Sequence, residues 1–282
     1  MSTTHVLSLT CADRPGIVHA VTAGVLDVGG NIVENSQFTD PDTNTFCMRM
    51  VVATEANDSD DLRDAVTARI GGGPIELKVR PVDRRPKVMI LVSKFDHCLV
   101  DLLYRWRNGG LAVDIPVIVS NHPDCAEVAE RYGIPFRHLP VTRDTKAEQE
   151  AEIKSLVAEH DVELVVLARY MQILSDDLCS HLRGRAINIH HSFLPGFKGA
   201  KPYHQAHERG VKIVGATAHF VTADLDEGPI IEQDIARVTH AHTADELVAL
   251  GQDTERLVLA RAVRAFAEDR IHLIGNKTIV FN

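Results

Sequence analysis

The fold class of this 282-residue chain is indicated most directly by the run Lys87-Val88-Met89-Ile90-Leu91-Val92. A nearly continuous apolar run of this length is typical of a strand with both faces covered, as in a parallel sheet wrapped by helices. A short charged, proline-flanked segment precedes the run, and we read residues 83–87 as a linker. We therefore expect the run to be the first strand of an α/β domain over residues 88–282.

Helix-like and strand-like segments alternate after this strand. The pattern predicts helices over His97–Arg107, Cys125–Tyr132 and Lys146–His160, with strands over Val113–Val119 and Leu164–Ala168. Such alternation favours a mostly parallel sheet with helices on its faces. We therefore predict a Rossmann-like domain.

Residues 1–82 show a different order: strand, helix, strand, strand, helix, strand. The predicted strands are His5–Thr10, Asn31–Thr39, Phe46–Thr54 and Ile75–Val79. One helix is predicted to open within Asp13–Gly16, with Asp13 as its cap, and to run to Val28. The other is predicted over Ser59–Arg69. This βαββαβ order is that of a ferredoxin-like domain.

The amino-acid composition of the chain disfavours several classes of partner. The formal net charge of −9 argues against a nucleic-acid partner, since phosphate binding needs clustered Lys and Arg. The N-terminus lacks the pattern of a signal peptide, and no apolar run is long enough to span a bilayer. The five cysteines form no CxxC pair, which is typical of reduced thiols. We expect a cytoplasmic protein without a membrane partner.

Known ligand motifs are absent. Among fifteen histidines, only His204 and His207 are a close pair with helical spacing, and no Cys or carboxylate follows at a familiar ligand distance, so no metal site is predicted. No GxGxxG, P-loop or GxSxG pattern occurs, which disfavours a dinucleotide site, a P-loop and a serine hydrolase.

Candidate chemistry lies in the stretch Ala186-Ile187-Asn188-Ile189-His190-His191-Ser192-Phe193-Leu194-Pro195-Gly196. In a strand, Asn188 and His190 share one face, and the Pro/Gly loop places them near the carboxyl end, where α/β folds bind ligands. An amide beside an imidazole is suited to polarising a carbonyl and moving a proton. The alternative is a satisfied core histidine beside a strand-end asparagine.

An acidic loop follows the strand predicted at Gly215–Val221. A carboxylate from this loop would orient an imidazole, but spacing alone does not choose among Asp224, Asp226 and Glu227.

Two resemblances sharpen these expectations. The segment Asp13-Arg14-Pro15-Gly16-Ile17-Val18, followed by a helix ending in Gly29-Gly30-Asn31-Ile32, resembles the ACT domain, a small module that binds amino acids. The resemblance implies an effector site, usually at a dimer interface. Its residues here are Asp13, Arg14, Pro15, Gly16, Ile17, Gly30, Asn31 and Ile32.

The motifs Asn-Ile-His-x-Ser-x-Leu-Pro (188–195) and Leu-Asp-x-Gly-Pro-Ile (225–230) resemble the folate-dependent formyltransferase catalytic domain. The resemblance implies that Asn188, His190 and Asp226 are catalytic. The stretch Leu167–Leu174 is similar to that family's folate pocket. The substrate-binding residues so implied are Met171, Gln172, Ile173, Leu174, His219, Val221 and Gly228.

The order of an ACT-like and a formyltransferase-like domain resembles the formyltetrahydrofolate deformylase family. The loop Ser93–Val100 has no glycine, whereas related transferases hold a nucleotide phosphate there in a Gly-rich nest, so water becomes the expected acceptor. The resemblance implies hydrolysis of 10-formyltetrahydrofolate to formate and tetrahydrofolate, with no bound cofactor. It also implies a homo-oligomer, dimer or tetramer. Glycine and methionine are suggested as effectors on the logic of the pathway alone. Alternatives are formyl transfer to an amine and a ligand-binding regulator with an inactive catalytic domain.

Overall fold

The computed structural model describes residues 3–55, 59–194, 196 and 202–282. The chain forms two compact units, one of residues up to Arg84 together with Glu268–Asn282, and one of Arg85–Ala267. Within the described part of the chain, no helix is long and apolar enough to cross a membrane.

The first unit contains a four-stranded antiparallel sheet in the order β2-β3-β1-β4 with two helices. Its elements are β1 (Thr3–Ala12), α1 (Ile17–Asp27), β2 (Asn31–Asp40), β3 (Thr45–Thr54), α2 (Ser59–Ile70) and β4 (Ile75–Pro81). Alternate residues of β1 and β3, among them Leu7, Leu9 and Met50, pack with the apolar faces of both helices. The predicted ferredoxin-like fold is confirmed.

The start of α1 differs from the prediction. The helix begins at Ile17, and its N-cap is Gly16, whose φ of 92° is left-handed and suits glycine. Asp13 is therefore not the cap. Its backbone N–H instead donates to the Asn44 carbonyl, which holds the loop to the β2–β3 turn.

The chain's last residues form a hairpin that belongs to the first unit. Its strands, β12 (Ile271–Ile274) and β13 (Lys277–Val280), pair with each other. Ile274 and Phe281 pack on Cys47 of β3, and Lys277 pairs with Asp40 of β2. The sequence placed residues 268–282 in the second domain. The structure differs because apolar and ionic contacts bind this segment to the first sheet.

The second unit contains a seven-stranded sheet in the order β11-β10-β9-β8-β5-β6-β7. Its strands are β5 (Val88–Val92), β6 (Ile118–Ser120), β7 (Phe136–His138), β8 (Leu164–Leu167), β9 (Ala186–His190), β10 (Ile213–Phe220) and β11 (Ile230–Arg237). Its helices are α3 (His97–Arg107), α4 (Ala126–Tyr132), α5 (Lys146–Glu159), α6 (Asp176–His181), α7 (Pro202–Glu208) and α8 (Ala244–Ala267). The five strands β7, β6, β5, β8 and β9 are parallel, and β10 and β11 are antiparallel additions. The predicted Rossmann-like class is confirmed.

One predicted strand is shorter than expected. Val113–Val119 was predicted as a strand, but β6 covers only Ile118–Ser120, and Asp114 forms a single isolated bridge with Lys87. Pro116 lies between the two and has no N–H to donate to a neighbouring strand. The backbone at Pro116 therefore interrupts the ladder.

Candidate active site

A cavity of about 650 Å³ lies in the second unit. Its lining includes residues from the loop after β5, the loop after β8, strands β9 and β10, the acidic loop 222–226 and helix α8. The carboxyl ends of β5, β8 and β9 meet at this edge, where α/β sheets bind ligands.

The predicted amide and imidazole do share one face of β9. Antiparallel pairing places His219 of β10 opposite Asn188, and Thr217 opposite His190. All three of Asn188, His190 and His219 line the cavity, and His190 and His219 are buried. The strand pair therefore presents one amide and two imidazoles to the same space.

The structure chooses among the three acidic residues of the loop. Oδ1 of Asp226 lies 3.2 Å from Nδ1 of His190 and 3.7 Å from Nε2 of His219. The Asp226 backbone has φ 58°, in the left-handed region that aspartate tolerates better than most residues. That turn aims its carboxylate at the two rings.

Charge and hydrogen bonding around Asp226 favour its ionised form. Burial raises the pKa of this carboxyl, but hydrogen bonding from the neighbouring His190 ring outweighs it, so the net pKa lies well below its usual range. Asp226 is therefore a carboxylate near pH 7.

The ring nitrogens have distinct environments. Nδ1 of His219 lies 2.9 Å from the Phe220 carbonyl and donates to it, so Nε2 accepts from the Asn188 amide nitrogen at 3.3 Å. For His190, Nδ1–H faces Asp226, while Nε2 is buried and has no hydrogen-bond partner among the described residues. Of the two His190 ring nitrogens, Nε2 is therefore the one left to form a new hydrogen bond.

The other residues predicted to bind substrate divide into two groups. Met171, Gln172, Ile173, Leu174 and Val221 line the cavity beside His219. Gly228 is outside the lining. A Cβ there would lie 1.7 Å from the Phe220 oxygen, so Gly228 lets the loop pass against β10. Its substrate contact stays a prediction.

A second polar cluster lies in the same cavity and includes residues that the sequence analysis did not select. The carboxylate of Glu255, on α8, accepts from the Tyr203 hydroxyl at 2.7 Å and lies 2.8 Å from Nε2 of His97. Arg169 Nε lies 3.4 Å from the same carboxylate, and Phe95 lies under the guanidinium. Glu255 was detectable in principle, because it lies between Gly251 and Leu259 on the apolar stripe of α8.

Two ionisable groups of this region, Glu255 and His191, have shifted pKa values. Burial raises the pKa of Glu255, but the His97 hydrogen bond and the Arg169 charge reverse the effect, so its net pKa is lowered. For His191, burial and the charge of Arg169 lower the pKa to about 4. Glu255 is therefore anionic and His191 neutral near pH 7.

His97, Cys98 and Glu255 place three possible ligand atoms within 4.8 Å of one another. Both Glu255 oxygens already have partners, Arg169 would repel a cation, and burial raises the pKa of Cys98 well above its usual value. The donor set fits a metal ion poorly. The absence of a metal or cofactor remains a prediction.

The predicted effector residues fall into two places in the first unit. Asp13–Ile17 follow β1, and Gly30–Ile32 precede and begin β2. Because Ala12 pairs with Thr45 and Asn31 with Ala53, the two groups lie near opposite ends of β3. One chain does not bring them together.

Comparisons with known proteins agree with this architecture. The ACT domain model matches residues 5–69, and the Formyl transferase model matches residues 86–263. A formyltetrahydrofolate deformylase of Corynebacterium sp. (strain P-1) is 48% identical over 280 residues, which cover 98% of this chain and 97% of that protein. The enzyme of the same name from Bacillus subtilis (strain 168) is 46% identical over 279 residues, 98% of this chain and 93% of that protein.

The solved structures similar to this chain include two kinds, deformylases and transformylases. The formyltetrahydrofolate deformylase of Burkholderia mallei has a TM-score of 0.94 and 50% identity, covering 99% of this chain and 100% of that one. The glycinamide ribonucleotide transformylase 1 of Symbiobacterium toebii has a TM-score of 0.66 and 30% identity, covering 70% of this chain and 95% of that one. The deformylases thus match nearly the whole chain, and the transformylase matches a part of it.

Proposed function

This chain belongs to the formyltetrahydrofolate deformylase family, and we propose from that premise how its residues hydrolyse 10-formyltetrahydrofolate to formate and tetrahydrofolate. The observation that carries the proposal is the Asp226–His190 contact of 3.2 Å, beside Asn188, at the wall of one large cavity. No metal or redox cofactor takes part in the proposed steps.

Water attack on the formyl carbon creates negative charge on the formyl oxygen. The Asn188 amide has two N–H donors, and with one directed at Nε2 of His219 the other is available to this oxygen. Removing one such donor typically costs about 3 kcal/mol of transition-state stabilisation. Asn188 is therefore proposed as the oxyanion donor.

His190 and Asp226 handle the protons in this proposal. Asp226 accepts from Nδ1–H of His190, which leaves Nε2 free to take a proton from the attacking water. The nearby carboxylate stabilises the resulting imidazolium. The same nitrogen then returns the proton to the departing folate nitrogen, so that His190 serves in both directions.

Substrate binding is assigned to the loop after β8. Met171, Gln172, Ile173 and Leu174 line the cavity with Val221, an arrangement suited to holding a flat ring between apolar side chains. Met171 and Ile173 are largely exposed, which leaves their surfaces open to a ligand.

The deciding experiment is an assay of formate release by the purified full chain with 10-formyltetrahydrofolate. Formate and tetrahydrofolate should appear in equal amounts without an added amine, and Asn188→Ala should lose most of the rate. Formation of an N-formyl product from added glycinamide ribonucleotide, with no formate in its absence, would instead establish formyl transfer.

For the first unit, we propose that the ACT domain binds a small amino acid, with glycine and methionine as the effectors to test. The two predicted residue groups lie near opposite ends of β3, so a site built from both needs a second copy of the chain. Isothermal titration of the full chain, combined with measurement of its oligomeric state, tests this. Absence of heat with every amino acid in an oligomeric sample would refute it.

A further inference from the structure

The guanidinium of Arg169 lies at the inner wall of the cavity and retains unused hydrogen-bond donors. Its side chain is 11% exposed. Nε and Nη1 are both buried, and neither has a hydrogen-bond acceptor in the part of the chain that the structure describes. Glu255 neutralises the charge from 3.4 Å without a well-directed hydrogen bond to these atoms.

The position of Arg169 is fixed by the backbone around it. Arg169 follows β8 with φ 64°, a left-handed conformation that is uncommon outside glycine. Its carbonyl accepts from the Ser93 N–H, and the Ser93 hydroxyl accepts from the Met171 N–H at 3.0 Å. The turn that carries Arg169 is therefore held on both sides by Ser93, at the end of β5.

Arg169 is linked to the proposed catalytic histidine through a series of packed side chains. The His190 ring stacks on His191 with centroids 4.9 Å apart, and the His191 and Tyr203 rings are 6.3 Å apart. Tyr203 donates to Glu255, which pairs with Arg169. The guanidinium thus lines the same cavity as His190 and is connected to it by packed side chains.

The cavity is lined by several carboxylates, which would repel an anionic product unless a cation lay beside them. Asp224, Asp226 and Glu255 all line it, and Arg169 is the one Lys or Arg among the described lining residues. Hydrolysis forms a bond from the water oxygen to the formyl carbon and breaks the carbon–nitrogen bond. One water proton goes to the folate nitrogen and the other to solvent, so the product leaves as a carboxylate anion.

We propose that Arg169 forms a carboxylate subsite that receives the formate released by hydrolysis, with the N–H groups of its guanidinium as donors. Guanidinium pairs well with carboxylates because its planar donors match the two oxygens. Glu255 holds the guanidinium in place and competes with formate for it. This inference rests on the proposed hydrolysis and adds a residue that binds a product.

Product inhibition by sodium formate tests the subsite, with chloride at equal ionic strength as the salt control. Arg169→Met should weaken inhibition by formate roughly tenfold or more, since a charge-assisted donor pair is lost. Arg169→Lys should recover part of it. Glu255→Gln should tighten inhibition, because the competing carboxylate is gone. Arg105→Met, which removes an arginine paired with Asp101 on α3 outside the cavity lining, should leave it unchanged.

We expect inhibition by formate to weaken in the Arg169 variant and to strengthen in the Glu255 variant. A purely structural role would change inhibition in the same direction in both variants. Wild-type enzyme that releases formate but shows no saturable inhibition by it would overturn the subsite alone. A raised KM for the folate in Arg169→Met with unchanged formate inhibition would also overturn it, because Arg169 would then bind a folate carboxylate. Failure of the wild type to release formate would refute the proposed function instead.

Discussion

The amide nitrogen of Asn188 lies 3.3 Å from Nε2 of His219, on the neighbouring strand. His219 is fixed in turn by the Phe220 carbonyl, 2.9 Å from its Nδ1. The ring is therefore oriented by the backbone, and it orients the amide. We infer that His219 acts on the reaction through Asn188.

His219→Phe should lower kcat about tenfold to hundredfold with a smaller effect on KM, because the amide loses the acceptor that directs it. His219→Gln keeps an acceptor oxygen and should recover part of the rate. Steady-state formate release measures both. Equal losses in the two variants, or a change confined to KM, would contradict a positioning role.

Asp226→Asn should reduce kcat by roughly a hundredfold to ten-thousandfold, since the neutral amide no longer stabilises the imidazolium of His190. Folding should be little affected, because the side chain keeps its shape. The measurement is formate release together with the melting temperature.

Glu227→Gln is the matched control, since it removes the charge of the next residue, which lies outside the cavity lining. Wild-type turnover is expected for it. If both variants lost activity equally, the loop would act through its charge or conformation, and the assignment of Asp226 would be wrong.

The sequence predicted most of the fold because the determining signals were local. The apolar run 87–92 and the alternation after it are set by burial on both faces of a strand, and the βαββαβ pattern of residues 1–82 has short turns. The hairpin at Ile271–Val280 was missed. Its place depends on contacts with Cys47 and Asp40, more than two hundred residues away.

The candidate site was likewise predictable only where its residues are set by a local sequence pattern. Asn188 and His190 share a strand face at a spacing of two, so periodicity alone pairs them. Spacing did not choose Asp226 from the acidic loop, and only the family resemblance named it, because the backbone conformation that aims its carboxylate is not encoded in sequence spacing. Arg169 and Glu255 meet only when the end of β8 and helix α8 pack together, a long-range contact without a local signature.

Gly228→Ala should displace the acidic loop 222–226, which carries Asp226. The added Cβ would lie 1.7 Å from the Phe220 oxygen and 3.1 Å from Nδ1 of His219, and the Phe220 N–H bond to Pro229 would be disturbed. Overpacking of this kind costs about 1–3 kcal/mol. We expect a lower melting temperature and a loss of activity larger than the loss of stability explains.

Gly72→Ala, in the turn before β4, has nothing within 4 Å of the new Cβ and is the control. Its stability and formate release should match the wild type. Normal activity in Gly228→Ala would show that the loop tolerates a shift and that the geometry around Asp226 is less demanding than proposed.

His272, on the C-terminal hairpin, should make the stability of the first unit depend on pH. Burial lowers its pKa from 6.5 to about 4, and its Nδ1 lies within hydrogen-bond distance, 2.8 Å, of the Thr10 hydroxyl oxygen. Below pH 6.5 the unfolded chain takes up a proton that the folded chain refuses until about pH 4. The free energy of unfolding should therefore fall as pH decreases through this window, by at most about 3 kcal/mol.

His272→Asn keeps a hydrogen-bonding partner for Thr10 but removes the titrating ring, so its stability should decline less between pH 6.5 and 4 than that of the wild type. His19→Asn, at an exposed histidine of α1, should retain the wild-type slope. Denaturant unfolding of the full chain at several pH values measures this difference. Parallel profiles for wild type and His272→Asn would show that the hairpin opens to water before the ring is protonated, and that it does not hold to the first sheet as tightly as its buried contacts indicate.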